Sequence, residues 1–398
     1  MPSRRVHLIP WGAFLLIGWS GLLVPSLVRQ IEATFGVDDA AIGIWYFVAA
    51  SAYAAGSLAG GLLTERVGRR TVLTTAAVGL AASWVIAGTS GSWVVFTLAA
   101  VVGGGAGAID GGMNGLVLAV TDAASGRALN VLHLFFSLGA FAAPLVIGWL
   151  VASGIAWQVP MVATGVAALL LVAALLLVEI PSGRRERRPD HSPVRASGVA
   201  GRPSAPLILL AVAIGCYVAA EIAVSSWTVR FLDDVPFEIA SLALSGFWAG
   251  LALGRLMAAR WGDRFSHSRL AAGSVAAAGV AVAAAVLAPT PTIAIVAIAV
   301  AGFASGPVFP LIVAIGGELF PHRVAAVAGT LTAAGVVGGI VYPPLVGLLS
   351  ASLGIGAGLL GGACLSIVSA GAILAAARLS RRANQVVPVS GPAASPPA

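Results

Sequence analysis

Apolar residues in this chain come in long unbroken runs rather than in alternation. Between residues 162 and 178, Thr164 is the only polar side chain. A bilayer core about 30 Å thick is crossed by about 20 apolar residues in a helix rising about 1.5 Å per residue. By that measure the pattern predicts twelve membrane-spanning helices, over 8–28, 40–63, 72–89, 93–119, 131–152, 159–178, 206–231, 237–259, 270–287, 292–317, 324–349 and 353–377. A membrane β-barrel would show repeated segments of about ten alternating residues instead. In lipid, backbone groups along such runs are satisfied within the segment only as helix. The expected fold class is an all-α membrane protein.

One segment interrupts the pattern. Residues 181–205 are polar, basic and rich in Pro, Ser and Gly, the composition of a flexible linker. They divide the chain into two six-helix bundles, 1–180 and 206–378, and the Pro/Ala/Ser-rich stretch 379–398 reads as a disordered tail. The halves also repeat each other. Ser51, Gly56, Gly60 and Leu62 recur in spacing as Ser245, Gly250, Gly254 and Leu256. Gly103 and Gly107 recur as Gly302 and Gly306, and Gly139 with Pro144, Leu145 and Val146 recurs as Gly339 with Pro344, Leu345 and Val346. Small residues four apart let helix backbones approach. Duplicated, pseudo-symmetric six-helix halves are the plan of a carrier whose halves rock about a midplane site.

Composition removes the soluble alternatives. Of 398 residues 59% are hydrophobic and 9% charged, where a soluble surface needs about 25%. Every basic residue is arginine. The positive balance lies in loops between spans, so it reads as topology and not as a nucleic-acid face. With the N-terminus cytoplasmic, only Arg29 and Arg230 fall at outward span ends, while Glu32, Asp38, Asp39, Asp233, Asp234 and Glu238 collect there. The positive-inside rule then places both termini in the cytoplasm and the chain in the inner membrane. The first run lacks a small-residue cleavage site after it and is expected to be a retained helix. Cys216 and Cys364 lie inside spans, without metal-ligand spacing. No phosphate-binding G-x-x-x-x-G-K-[ST] loop occurs, which argues against ATP-driven transport. No enzyme, metal or cofactor is expected.

Ionisable groups inside spans are costly and by default mark ion or substrate pathways. Asp110 lies inside the fourth span and Glu221 inside the seventh. Asp110 and Asn114 are four apart and share a face, and Gly107 and Gly111 beside them leave room for a ligand. Tyr217, Glu221 and either Ser225 or Thr228 share another face. That face suits a sugar's apolar side and hydroxyls, or equally an interhelical hydrogen-bond patch. Trp19, Trp227 and Trp248 are deep enough to line a cavity. His133, with Asn130 and Ser137 on its face, admits a proton-relay role or a helix-end polar contact. Asp110 is expected to be the principal coupling acid and Glu221 a substrate or secondary proton site.

The loop after the second span reads Gly61-Leu62-Leu63-Thr64-Glu65-Arg66-Val67-Gly68-Arg69-Arg70. It resembles the signature G-x-x-x-D-R-x-G-R-R/K of the major facilitator superfamily, with Glu65 in place of the usual Asp. Gly254-Arg255 through Arg260-Trp261-Gly262-Asp263-Arg264 is similar to its degenerate copy. The resemblance implies the major facilitator fold, with Glu65, Arg66, Arg70, Arg255, Asp263 and Arg264 acting as a latch between neighbouring helices. A narrower resemblance runs through Asp110-Gly111-Gly112-Met113-Asn114, Leu129 to Ala140, and Tyr217 to Trp227 with Ala219 for the usual Gly. These segments resemble the fucose–galactose–glucose:proton symporter family. It implies proton-coupled uptake of a small polar, sugar-like solute by a monomer in the lipid bilayer, with Asn114, Asn130, Tyr217, Ser225 and Trp227 near the substrate. The alternative is proton-driven efflux of amphipathic compounds, for which Gly139, Pro144 and Gly148 offer a partial antiporter-like pattern.

Overall fold

The computed structural model describes residues 4–120, 125–181 and 204–386. Among these the regular structure is helical. The first span is α1 (Arg4–Gly21) with α2 (Leu23–Phe35), followed by α3 (Asp39–Val67) and α4 (Arg69–Thr89). The fourth span is α5 (Trp93–Val102) with α6 (Gly105–Val120), and α7 (Ser125–Ala152) and α8 (Gln158–Leu177) complete the first half. The second half comprises α9 (Ala205–Phe231), α10 (Phe237–Trp261), α11 (His267–Val286), α12 (Pro291–Ser305) with α13 (Val308–Leu319), and α14 (Val324–Val386).

Eleven helical stretches among the described residues are long and apolar enough to cross a membrane. The last, Ala326–Arg381, has 56 residues, far beyond the roughly 20 needed for one crossing. It breaks at Gly354, whose φ of 77° and ψ of 157° are non-helical and cost glycine no Cβ clash. Counting its two limbs gives the twelve crossings read from the hydropathy pattern. The expected linker lies mostly outside the described residues. Of the expected tail, residues 379–386 continue α14 as helix, and the rest lies outside the described residues.

The repeated glycines sit where helix backbones touch. A Cβ on Gly56 would come 1.9 Å from the Gly104 carbonyl oxygen, and one on Gly107 1.9 Å from that of Tyr53, locking α3 onto the fourth span. In the second half a Cβ on Gly254 would meet the Phe303 carbonyl oxygen at 2.1 Å, and one on Gly302 that of Phe247 at 2.1 Å. The same interface is thus built twice. The fifth-span repeat needs a one-residue correction. Gly139 packs on the Leu15 carbonyl, but its counterpart is Gly338, which faces the Gly215 carbonyl at 2.1 Å, while Gly339 only reaches side chains at 3.4 Å and beyond. Gly107→Ala is expected to lower stability by about 1–3 kcal/mol, the cost of overpacking. Gly12→Ala, with nothing within 4 Å of its Cβ, is expected to change little. Thermal unfolding of the two purified variants in detergent checks this; equal midpoints would refute it.

The halves meet through α3 with α14 and α7 with α10, with α2 reaching α9. These contacts gather at the end that carries the acids. Gly43 packs on Pro344 and Gly347, and Gly148 on Ser241. Tyr46 donates to the Ser226 carbonyl at 2.9 Å and Ser245 to the Phe141 carbonyl at 3.0 Å. Charges finish the seam. Arg230 Nε lies 2.8 Å from Asp39 Oδ1 and 3.1 Å from Glu32 Oε2, and its Nη1 lies 2.9 Å from Asp233. Arg29, from the first half, donates to the Val229, Leu232 and Val235 carbonyls around the C-terminus of α9 and pairs with Asp233 at 3.2 Å. The opposite end is the arginine-rich one. There Gly61, Leu62, Leu63, Glu65, Arg66 and Val67 of α3 are exposed around the helix's whole circumference, with only Thr64 half-buried.

Candidate functional site

Between the halves, each bundle holds one acid beside a tyrosine. In the first half Asp110 sits one turn beyond Gly107 on α6. The close approach at Gly107 brings the α3 backbone in at Tyr53, and the Tyr53 hydroxyl donates to Asp110 Oδ2 at 2.6 Å. Asn114 Nδ2 donates to the other carboxylate oxygen at 2.9 Å. Both oxygens of Asp110 are therefore supplied with donors, the pattern that suits a carboxylate. His133 on α7 lies within charge range of Asp110 and stands edge-on to Phe14, with ring centroids 5.3 Å apart.

In the second half the Tyr217 hydroxyl contacts Glu221 Oε2 and lies 3.0 Å from the Ser305 carbonyl oxygen. Ser305 ends α12, where the break at Gly306–Pro307 frees last-turn carbonyls. A phenol has one proton to give, and a carbonyl can only accept. When Tyr217 donates to Ser305, its contact with Glu221 is a hydrogen bond only if Glu221 brings its own proton. Arg255, on α10, faces the charge of Glu221 and lies within charge range of His133 across the seam.

The other expected site residues fall into three groups. Trp227 is fully buried, its indole donating to the Pro343 carbonyl at 3.0 Å, and Ser225 accepts from Trp248 Nε1 at 3.1 Å. Both side chains are thus engaged between helices, Trp227 with α14 and Ser225 with α10. Trp19 likewise donates to Thr164 at 2.8 Å, while Trp248 meets Phe136 of the other half with centroids 5.9 Å apart. The side chains of Asn130 and Asp263 lie outside the described residues. At the signature loop Gly68 has φ of 94°, a conformation that favours glycine. Arg70 donates to the Val178 carbonyl, and Arg69 to those of Gly115 and Pro181 at 3.3 Å each, tying α4 to α6 and to the chain after α8. Glu65, Arg66 and Arg264 are exposed at span ends. Arg255, grouped with that loop on sequence, instead carries its charge toward Glu221. The room beside Asp110 is also reassigned, since the space at Gly107 is filled by α3 and not left for a ligand.

Sequence reasoning passed over Tyr53, Arg69 and the pairing of Arg29. Tyr53 had a signal: it lies three and seven residues before Gly56 and Gly60, on the face they turn to α6. No group of three metal-ligating side chains occurs among the described residues.

Twelve crossings in two repeated halves, closed at one end around membrane-buried charge, define a polytopic membrane transporter. The chain belongs to the Major Facilitator Superfamily, whose profile matches residues 11–238 and 231–396. It is a transporter and not an enzyme. Among solved structures, a mutant of the nucleoside transporter NupG is 17% identical, over 94% of this chain and 98% of its own, with TM-score 0.75. A D-xylose–proton symporter is 17% identical, over 93% and 96%, with TM-score 0.73. An inward-facing, occupied bacterial homologue of the human lysosomal transporter Spinster is 16% identical over 96% of each chain, with TM-score 0.70. At these identities the likeness carries the fold alone. No curated protein sequence matches the chain significantly.

Proposed function

We propose that the chain is a proton-coupled uptake carrier for a small polar, sugar-like solute, working by alternating access as a monomer. The observation that carries this reading is the tyrosine-held acid in each half, Tyr53 with Asp110 and Tyr217 with Glu221, on the two sides of the moving seam. An acid inside a span is expensive. Two of them, each wired to a hydroxyl that can exchange a proton with it, give a device that loads and unloads protons as the seam opens. Asp110 serves as principal coupling acid, with Glu221 and His133 as partner sites and Asn114 beside the substrate. The halves 1–180 and 206–378 rock about this layer, and Glu65, Arg66, Arg70 and Arg264 restrain the arginine-rich end. The three segments resembling the fucose–galactose–glucose:proton symporters support the sugar-like assignment. The efflux reading gains no support from Gly139 and Gly148, both of which are spent on helix packing. Uptake into proteoliposomes under an imposed inward proton gradient tests the proposal: solute accumulation that collapses with a protonophore supports it, and accumulation indifferent to the gradient refutes it.

The same proposal puts the arginine-rich end in the cytoplasm of a cell with an inner membrane. In a cysteine-free background, Ser153→Cys and Thr290→Cys, both exposed at the acidic end, are expected to react with an impermeant maleimide added outside intact cells. Ser266→Cys, exposed at the other end, is expected to react only after lysis. External labelling of Ser266→Cys would overturn the orientation.

A further inference from the structure

We infer that the solute carries one negative charge, as a small hydroxylated carboxylate of the sugar-acid kind, and that Arg255 binds its carboxylate. This rests on the carrier reading above and narrows its substrate class.

The argument starts from an asymmetry in the charged layer. Each acid already has hydrogen-bond partners in the protein, Asp110 in Tyr53 and Asn114, Glu221 in Tyr217. Arg255 has no hydrogen bond or ion pair with another described residue, although it is only partly accessible. A guanidinium holds five N–H donors in a planar fork matched to a carboxylate. Leaving that fork unused at membrane depth is costly unless a ligand completes it. The backbone under it is rigid. A Cβ on Gly306 would lie 2.7 Å from the Arg255 nitrogen and 2.4 Å from the Leu251 carbonyl oxygen, so α10 is pressed against the broken tenth span.

Charge balance limits the ligand to one negative charge. The charged groups around Arg255 are Glu221 on α9, His133 on α7 and, beyond His133, Asp110 on α6. With the Glu221 proton in place and Tyr217 turned to Ser305, Arg255 is left with one uncompensated positive charge. A monoanion neutralises it, whereas a dianion would face Asp110 unscreened. When Glu221 loses its proton, its carboxylate competes for Arg255 and expels the anion. Anion binding at Arg255 is thereby linked to the proton on Glu221, the partner site beside the principal coupling acid Asp110.

Matched pairs test this on the purified full chain in detergent: D-galacturonate against D-galactose and D-gluconate against D-glucose, by ligand-induced thermal shift and titration. Wild type is expected to bind an acid at least about tenfold more tightly than its neutral partner, about 1.4 kcal/mol. Arg255→Gln is expected to lose that preference, Arg255→Lys to keep part of it, and Glu221→Gln to bind the acid at least as well as wild type. The unliganded melting point of each variant reports whether it has folded. Equal binding of acid and neutral sugar, binding of neither acid, or acid affinity unchanged in folded Arg255→Gln would overturn the inference. The two proposals fail separately. Acid exchange that needs Arg255 but ignores the proton gradient would sink proton coupling and leave the anion site. Proton-driven galactose uptake that survives Arg255→Gln would do the reverse.

Discussion

Asp110→Asn is expected to abolish solute accumulation on a proton gradient while leaving solute exchange across the membrane in place. The substitution is nearly isosteric and fits the hydrogen bonds already present. The new amide oxygen accepts from Asn114 Nδ2, now 2.9 Å from Asp110 Oδ1, and the new amide nitrogen donates to the Tyr53 hydroxyl, now 2.6 Å from Oδ2. The contact network therefore survives, and affinity should stay within about threefold, under ~1 kcal/mol. What disappears is the titration. A group that cannot release a proton cannot make the carrier's states differ in proton affinity, and a gradient acts only through that difference. The accumulation ratio in proteoliposomes should fall to one, with counterflow of labelled solute retained. If Asp110→Asn still concentrates solute, the coupling proton rides elsewhere. Glu221 is then the next candidate, because its contact with Tyr217 is completed by a proton of its own when Tyr217 donates to Ser305.

Much of this architecture was legible because lipid makes the sequence obey simple rules. Twelve crossings follow from run length alone, and α14 breaks at Gly354, where the pattern already separates 324–349 from 353–377. The glycine repeats announced helix contacts but not which helices they joined, since a small residue says only that something comes close. Spacing alone therefore leaves room for a ligand at Gly107, where the fold brings in α3. The intramembrane acids stood out because burying charge is costly, and both lie in the charged layer between the halves. Their tyrosines were harder to see. One tyrosine does not stop a span from reading as apolar, so Tyr53 hides in its span until the fold sets it against Asp110. Its place in a degenerate motif puts Arg255 with the loop, because distance along a helix does not say which way a side chain turns.

The largest structural effect is expected at the acidic end, from residues that first appeared only as exceptions to the arginine bias. Arg29 and Arg230 are the two arginines on the wrong side of the membrane for topology, so topology does not explain them. The fold does: both tie one half to the other. Arg230, from the second half, holds Glu32 and Asp39 of the first half through one nitrogen, at 3.1 and 2.8 Å. Remove it and Asp39 loses its arginine in a partly buried seam, while Glu32 keeps only the charge of Arg29 nearby. Breaking a fully buried pair costs about 3–5 kcal/mol and an exposed one at most about 1. With the Glu32 and Asp39 side chains 15% and 11% exposed and Arg230 28% exposed, about 2 kcal/mol is a fair expectation, roughly a 30-fold shift toward opening at this end. Ser241→Cys is a suitable reporter. Ser241 is fully buried against Gly148 in the seam, and its hydroxyl has no hydrogen-bond partner to lose. In a background without other cysteines, Arg230→Ala should make Cys at 241 react with an external impermeant maleimide roughly 30-fold faster. Turnover should slow, because the return to the arginine-end-open state now runs uphill. Asp39→Asn added to Arg230→Ala should recover part of the closure by removing the carboxylate left without its arginine. Labelling of the reporter within about twofold of its rate with Arg230 intact would show that Arg230 and its acids do not gate the seam, which the packing at Gly43 and Gly148 and the contacts of Arg29 then hold.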